Sequence, residues 1–178
     1  MANYRRLYAK GGTYFFTVVT QERRPIFSKE DSVKNLRESF ETVMEKRPFT
    51  VDAVVVLPDH IHCIWSLPNN ESDFSTRWKE IKYRFSINSR ESFPPTDSMR
   101  KKKEKGLWQR RFWEHLIRDQ DDFNRHVDYI HYNPVKHGLV KRPMDWPHGS
   151  FHRFVERGVY EEDWGSIPPE HIKNMDLD

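Results

Sequence analysis

A single cysteine, Cys63, excludes any intrachain disulfide and leaves no cysteine cluster for a closed zinc site. No apolar run approaches the length needed to cross a bilayer, and the opening MANYRRLYAKGGTYFF has no long apolar stretch of the kind found in secretory signals. The expectation is a cytoplasmic protein with no membrane partner. There is no internal repeat and no long low-complexity tract, which leaves one domain with appendages.

The 178 residues are 36% hydrophobic and 14% aromatic, enough for one core built around large rings, so a wholly disordered chain is excluded. The formal charge is only +3, but it is unevenly spread. Residues 161–178 hold six acids against Lys173 alone, a net of −5, which leaves +8 on residues 1–160. Cations interleaved with Trp78, Trp108 and Trp113 suit single-stranded nucleic acid, whose phosphates need positive charge and whose unstacked bases need flat apolar surfaces. The same residues also fit core rings and a solvated surface.

The segment 13–20, TYFFTVVT, is β-branched or aromatic nearly throughout and is expected to be a central strand. Val33, Leu36, Phe40, Val43 and Met44 recur at helical spacing after an N-cap at Asp31 or Ser32, and this helix is expected to end by Pro48. Residues 50–57 and 60–67 read as a hairpin joined at Pro58-Asp59. A second helix is expected over 73–89, a mobile loop over 90–106, a fourth strand over 107–119, and a third helix from Asp121 or Asp122 to Asn133, where Pro134 should stop it. The order βαββαβ predicts an α+β fold, a ferredoxin-like sandwich with an antiparallel sheet, followed by a helix and an irregular extension. The main domain spans 1–160, with the helix of interest around 121–133, and 161–178 form an acidic C-terminal tail.

His60 and His62 flank one apolar residue within a strand, so both imidazoles point to one face, as two metal ligands would. Nine histidines in a chain of this length produce about 0.5 such pairs by chance, so the pair alone is indistinguishable from surface histidines. A second segment, HVDYIHYNPVKHGLV, changes that. Tyr129 and Asn133 stand four residues apart on one helix and share a face, whereas Tyr132 is turned away. Read separately, Tyr129 is a core residue and Asn133 a helix cap. Taken together with the histidines, they offer two imidazoles and an amide oxygen, a neutral set that leaves a divalent ion its charge and open positions for phosphate oxygens. That suits Mg²⁺ or Mn²⁺ acting on a phosphodiester. Attack by Tyr129 would leave a covalent phosphotyrosine and a free 3′ hydroxyl, conserving the ester for later strand transfer.

The His60–His62 pair, YIHYNPVKHGLV from Tyr129, FFTVVTQER near Arg23 and WQRRFWEHLIRD resemble the REP-associated tyrosine transposases. These are relatives of the single-strand insertion-sequence transposases among the HUH endonucleases, and the resemblance runs from about Gly11 to Trp164. It implies Tyr129 as nucleophile, His60, His62 and Asn133 as metal ligands, and a single HUH-type domain. Insertion-sequence relatives usually carry glutamine where this chain has Asn133. It also implies a substrate: hairpins of repetitive extragenic palindromes preceded by a single-stranded 5′ tetranucleotide, in a bacterial, nucleoid-associated setting.

The cations expected to meet that DNA are Arg5, Arg6, Lys101, Lys102, Lys103, Arg110, Arg111 and Arg118. His115 and His126 read either as packed or surface histidines or as helpers in proton transfer. Oligomeric state is left as monomer or homodimer. Two other functions stay open: a hairpin-binding protein without catalysis, and a metal-dependent hydrolase that uses water.

Overall fold

The computed structural model describes residues 6–178, so Arg5 lies outside the described residues. Strand β1 (Thr13–Val19) is apolar or β-branched at every position because it lies inside a sheet covered on both faces. It pairs antiparallel with β3 (His60–Ser66) on one side and with β4 (Trp113–Leu116) on the other, and β3 pairs with β2 (Thr50–Val56). The sheet order β2-β3-β1-β4 is that of a ferredoxin-like sandwich, and the α+β architecture follows the expected βαββαβ order.

Alternation along the strands builds two cores. Tyr14, Phe16, Ile61, Cys63 and Trp65 face α1 (Glu30–Lys46) and α2 (Phe74–Asn88). Phe15, Val55 and Ile64 face α4 (Gln120–Lys136) and α5 (Phe151–Glu156). Trp164, Ile172, Met175 and Leu177, from the stretch expected to be an acidic tail, pack into this second core.

Four local expectations change. Helix α1 starts at Glu30, with Lys29 at the N-cap and no side-chain capping bond. The loop 90–106 contains a short helix, α3 (Asp97–Lys101), capped by the Thr96 hydroxyl and pinned by buried Met99. The fourth strand is only Trp113–Leu116. Trp108 bridges Thr20 and Trp113 faces Thr17, so four intervening residues oppose two on β1 and Arg110 and Arg111 are pushed out of the ladder. Helix α4 begins one or two residues early, at Gln120, after an Asp119 cap that accepts from the Asp122 amide, and it runs through Pro134 to Lys136. Pro134 and Asn133 are buried, and Pro134 removes a single hydrogen bond close to the helix end, so packing outweighs the break.

The free edge of β2 is covered: the Val56 amide donates to the His148 carbonyl and the Ser150 amide to the Val54 carbonyl. Behind this cover, His131 Nε2 lies 2.8 Å from Ser150 Oγ, and burial pushes its pKa down to about 3. An unfolded chain takes up this proton near pH 6.5, while the folded chain refuses it until about pH 3. Stability is therefore full above pH 6.5 and falls as pH drops through that window. Urea unfolding at pH 7 and pH 5 should show this histidine costing about 2 kcal/mol at the lower pH. His131→Asn should remove that share of the slope, and an unchanged slope would refute the assignment.

Among the described residues, no helix is long and apolar enough to cross a membrane.

Candidate active site

On β3, His60 and His62 point to the α4 face, and both are buried. Their rings lie 4.8 Å apart between centroids, and that of His62 lies 5.3 Å from the Tyr129 ring. The strand and the helix thus bring the expected histidine pair and tyrosine together. One turn beyond Asn133, His137 lies 5.2 Å from the His60 ring, so the stripe Tyr129–Asn133–His137 runs along both histidines.

Hydrogen bonds settle the tautomers. Thr17 Oγ1 donates to the Leu177 carbonyl at 2.7 Å, which spends its only proton, so at 2.9 Å it must accept from His62 Nδ1–H. The Nε2 lone pair of His62 then points into the site. His60 Nδ1 lies 2.6 Å from Asp59 Oδ1, and its Nε2 is buried without a hydrogen-bond partner among the described residues. A ring nitrogen bonded to a polar neighbour, with the other nitrogen bare, is how metal-ligating histidines are held. Asn133 is 0% exposed, and neither polar atom of its side chain has a hydrogen-bond partner among the described residues. Buried amides are nearly always satisfied, so this orphaned one fits a ligand position.

Asp178 closes the site. Its Oδ1 accepts from the Tyr129 hydroxyl at 2.9 Å and lies 2.9 Å from His62 Nε2 and 3.5 Å from His60 Nε2. Lys136 Nζ donates to the Tyr129 hydroxyl at 3.1 Å and to Asp178 Oδ2 at 2.7 Å, and the Leu177 amide donates to the same hydroxyl at 3.1 Å.

Burial brings the His62 pKa down to about 4, helped by the neighbouring His60 and opposed by Asp178. For His60, burial acts downward too, but Asp178 and Asp59 outweigh it and raise the value. Burial opposes ionisation of Asp178, yet His60, His62 and Lys136 hold it well below the carboxylate range. Burial raises the Tyr129 pKa despite the bond from Lys136. With His62 neutral, its lone pair meets an ionised carboxylate oxygen at 2.9 Å. Two acceptors at that distance call for a proton or a cation between them. The donor set of neutral imidazoles, an amide and nearby carboxylate oxygen suits a divalent cation.

Lys136, His137 and Asp178 were not among the expected site residues. Ending the helix at Pro134 hid the first two, although Lys136 follows Tyr129 by seven residues, a same-face spacing. Asp178 carried no local signal. His115 and His126 lie elsewhere, hydrogen-bonded to Asp122 and stacked on each other, so they do not reach the Tyr129 hydroxyl as proton carriers.

The candidate DNA cations divide. Arg6, Lys102, Lys103 and Arg110 line one groove of about 890 Å³ beside α2, together with Lys82 and Trp108. The Arg6 guanidinium sits 4.1 Å above the Phe112 ring, and burial, aided by Arg6, lowers the Lys82 pKa to about 8. Lys101 and Arg111 are exposed outside the lining of this groove, and Arg118 pairs with Asp122 on the α4 side.

The family model described as "Transposase IS200 like" matches residues 9–133, which spans β1 to Asn133. The REP-associated tyrosine transposase of Escherichia coli (strain K12) is 48% identical over 164 residues, covering 92% of this chain and 91% of the relative. A Haemophilus influenzae (strain ATCC 51907 / DSM 11121 / KW20 / Rd) relative from the same group is 45% identical over 174 residues, covering 97% and 98%. A solved structure of a REP-associated tyrosine transposase bound to a REP hairpin superposes with a TM-score of 0.78 at 44% identity, covering 99% of both chains. With its sheet, its histidine pair and its helix-borne tyrosine lying within or against the matched region, the chain belongs to the IS200-like transposases, among their REP-associated tyrosine transposases.

Proposed function

We propose that this protein cleaves and rejoins single-stranded DNA beside REP-type hairpins, using Tyr129 as nucleophile and a divalent ion held by His60, His62 and Asn133. One observation carries the reading: the Tyr129 hydroxyl and His62 Nε2 both converge on one anionic oxygen, Asp178 Oδ1, each at 2.9 Å. A phosphate oxygen would find the same neighbours there. Mg²⁺ or Mn²⁺, when bound, supplies Lewis-acid polarisation of the phosphodiester.

The chain's own groups do the rest. Thr17 and Asp59 orient the two imidazoles. Lys136 stays protonated beside the phenol oxygen and stabilises the charge that grows as the proton leaves, offsetting the burial that raises the Tyr129 pKa. The tyrosine oxygen bonds to phosphorus, the phosphorus–O3′ bond breaks, and the 3′ oxygen departs as a hydroxyl. The 5′-phosphotyrosine keeps the ester, so an incoming 3′ hydroxyl reverses the step and joins strands. A relative seen bound to a REP hairpin supports the same partner here, and the cationic groove beside α2 provides a surface for its backbone. The unpaired 5′ tetranucleotide belongs to this reading as the single-stranded element next to the scissile phosphate.

The test is a denaturant-stable protein–DNA adduct on labelled hairpins with unpaired flanks, formed with Mg²⁺ or Mn²⁺ and abolished by chelator. Failure to form an adduct on any REP-like hairpin would overturn the catalytic reading. Asp178 gives a second measurement. Its carboxylate occupies the position assigned to the phosphate, so Asp178→Ala should speed adduct formation about tenfold, equivalent to losing one competing charged hydrogen bond. Slower adduct formation with weaker metal binding would instead make Asp178 a ligand.

A further inference from the structure

Trp113 is 39% exposed, yet it sits on the same sheet face as the buried histidines. Thr17 lies between Trp113 and His62 in one cross-strand row, and Phe15 in the next row touches three of the rings concerned. The Phe15 centroid lies 5.7 Å from Trp113, 5.5 Å from His62 and 6.2 Å from Tyr129. The indole is therefore one ring removed from the nucleophile.

It is also held flat. Trp113 lies parallel to His115, at an interplanar angle of 8° and 6.0 Å between centroids, and His115 stacks on His126 at 4.7 Å. His115 Nε2 lies 2.8 Å from Asp122 Oδ2, and that carboxylate also accepts from the Arg118 amide at 3.0 Å. A surface ring braced in this way presents a π face with little freedom left to lose.

The approach to it is cationic. Among the described residues, β4 has β1 as its strand neighbour, whereas the opposite edge of the sheet is covered by residues 148–150. Arg110 and Arg111 bulge out just before Trp113, and Arg110 already lines the groove beside α2. Arg118 and Arg125 are exposed on the far side, sharing the single carboxylate of Asp122. A strand leaving the groove and crossing this edge toward Tyr129 passes the indole.

We infer that Trp113 is a stacking platform for one unpaired base of the DNA strand, between the groove-bound hairpin and the phosphate presented to Tyr129. The inference rests on the reading of this protein as acting on DNA. Base stacking on an aromatic side chain tolerates any base, so Trp113 sets the path and register of the strand and not its sequence.

The experiment uses hairpin DNA with an unpaired 5′ flank carrying 2-aminopurine at one position at a time, with chelator present so that nothing is cleaved. Wild type should quench one flank position strongly and its neighbours weakly. Trp113→Leu, which keeps apolar bulk against Phe15, should abolish that quench and weaken binding of the flanked hairpin by about 5- to 100-fold. Binding of a blunt hairpin without the flank should not change, and Trp113→Phe should restore most of the lost affinity. Uniform quenching by wild type, or equal affinity of wild type and Trp113→Leu for the flanked hairpin, would overturn the proposal. Wild-type quenching does not depend on how any variant folds. Because no cleavage is read, absence of an adduct in the earlier assay would sink the tyrosine chemistry while leaving this result to be judged by itself.

Discussion

Tyr129→Phe should abolish the covalent adduct and reduce strand cleavage by about 10⁴-fold or more, because no neighbouring group can replace the attacking oxygen. Hairpin binding should persist, since the cationic groove lies beside α2, on the other side of the sheet from this hydroxyl. The variant should also fold. The phenyl ring keeps the contacts of Tyr129 with Phe15 and His62, and the loss is limited to hydrogen bonds with Lys136, Asp178 and the Leu177 amide. Of these partners only the Leu177 amide is left without a charged alternative, a cost of about 1–3 kcal/mol if it remains buried. Cleavage that survives in Tyr129→Phe would identify water as the nucleophile and make the protein a hydrolase. Binding and cleavage lost together would point to a structural role for the tyrosine.

His62→Ala should have the second largest effect, with metal-dependent adduct formation falling by at least about 10²-fold and the metal concentration for half-maximal rate rising. The reason lies in how the ring is held. Thr17 fixes its Nδ1–H, burial keeps it neutral near pH 7, and its remaining lone pair therefore faces the site permanently. Manganese binding followed by magnetic resonance separates this from misfolding, because His62→Ala should weaken the bound-ion signal while Tyr129→Phe leaves it intact. Equal manganese affinity in wild type and His62→Ala would remove this histidine from the metal set. The pH response has a defined sign as well. Since His62 protonates only near pH 4, metal binding should be lost between neutral pH and that value, and His60, whose pKa is raised by Asp178 and Asp59 against the effect of burial, should protonate first.

Much of this could be read along the chain because it depends on local backbone geometry. A two-residue period on a strand puts His60 and His62 on one face, and a four-residue step on a helix does the same for Tyr129 and Asn133. The all-apolar run of β1 and the βαββαβ order likewise announce a central strand in a covered antiparallel sheet. Where local rules failed, a long-range gain overrode them. Pro134 should end a helix, but burial carried α4 onward to Lys136, and so a cation reached the phenol. Arg110 and Arg111 read as strand residues, but Trp108 pairs with Thr20 and Trp113 with Thr17, and the excess residues had to leave the ladder.

The sequence by itself therefore determined the two halves of the candidate site, the sheet that carries one of them and the family that the chain resembles in its motifs. Only the tertiary structure decided that α4 crosses β3 with Tyr129 against His62, that Arg6 joins Lys102, Lys103 and Arg110 in one groove, and that Asp178 closes on His62 from 116 positions away. The division is physical. Periodicity is a property of neighbouring residues, whereas the meeting of distant groups is fixed by how whole faces bury against one another, which no short stretch encodes.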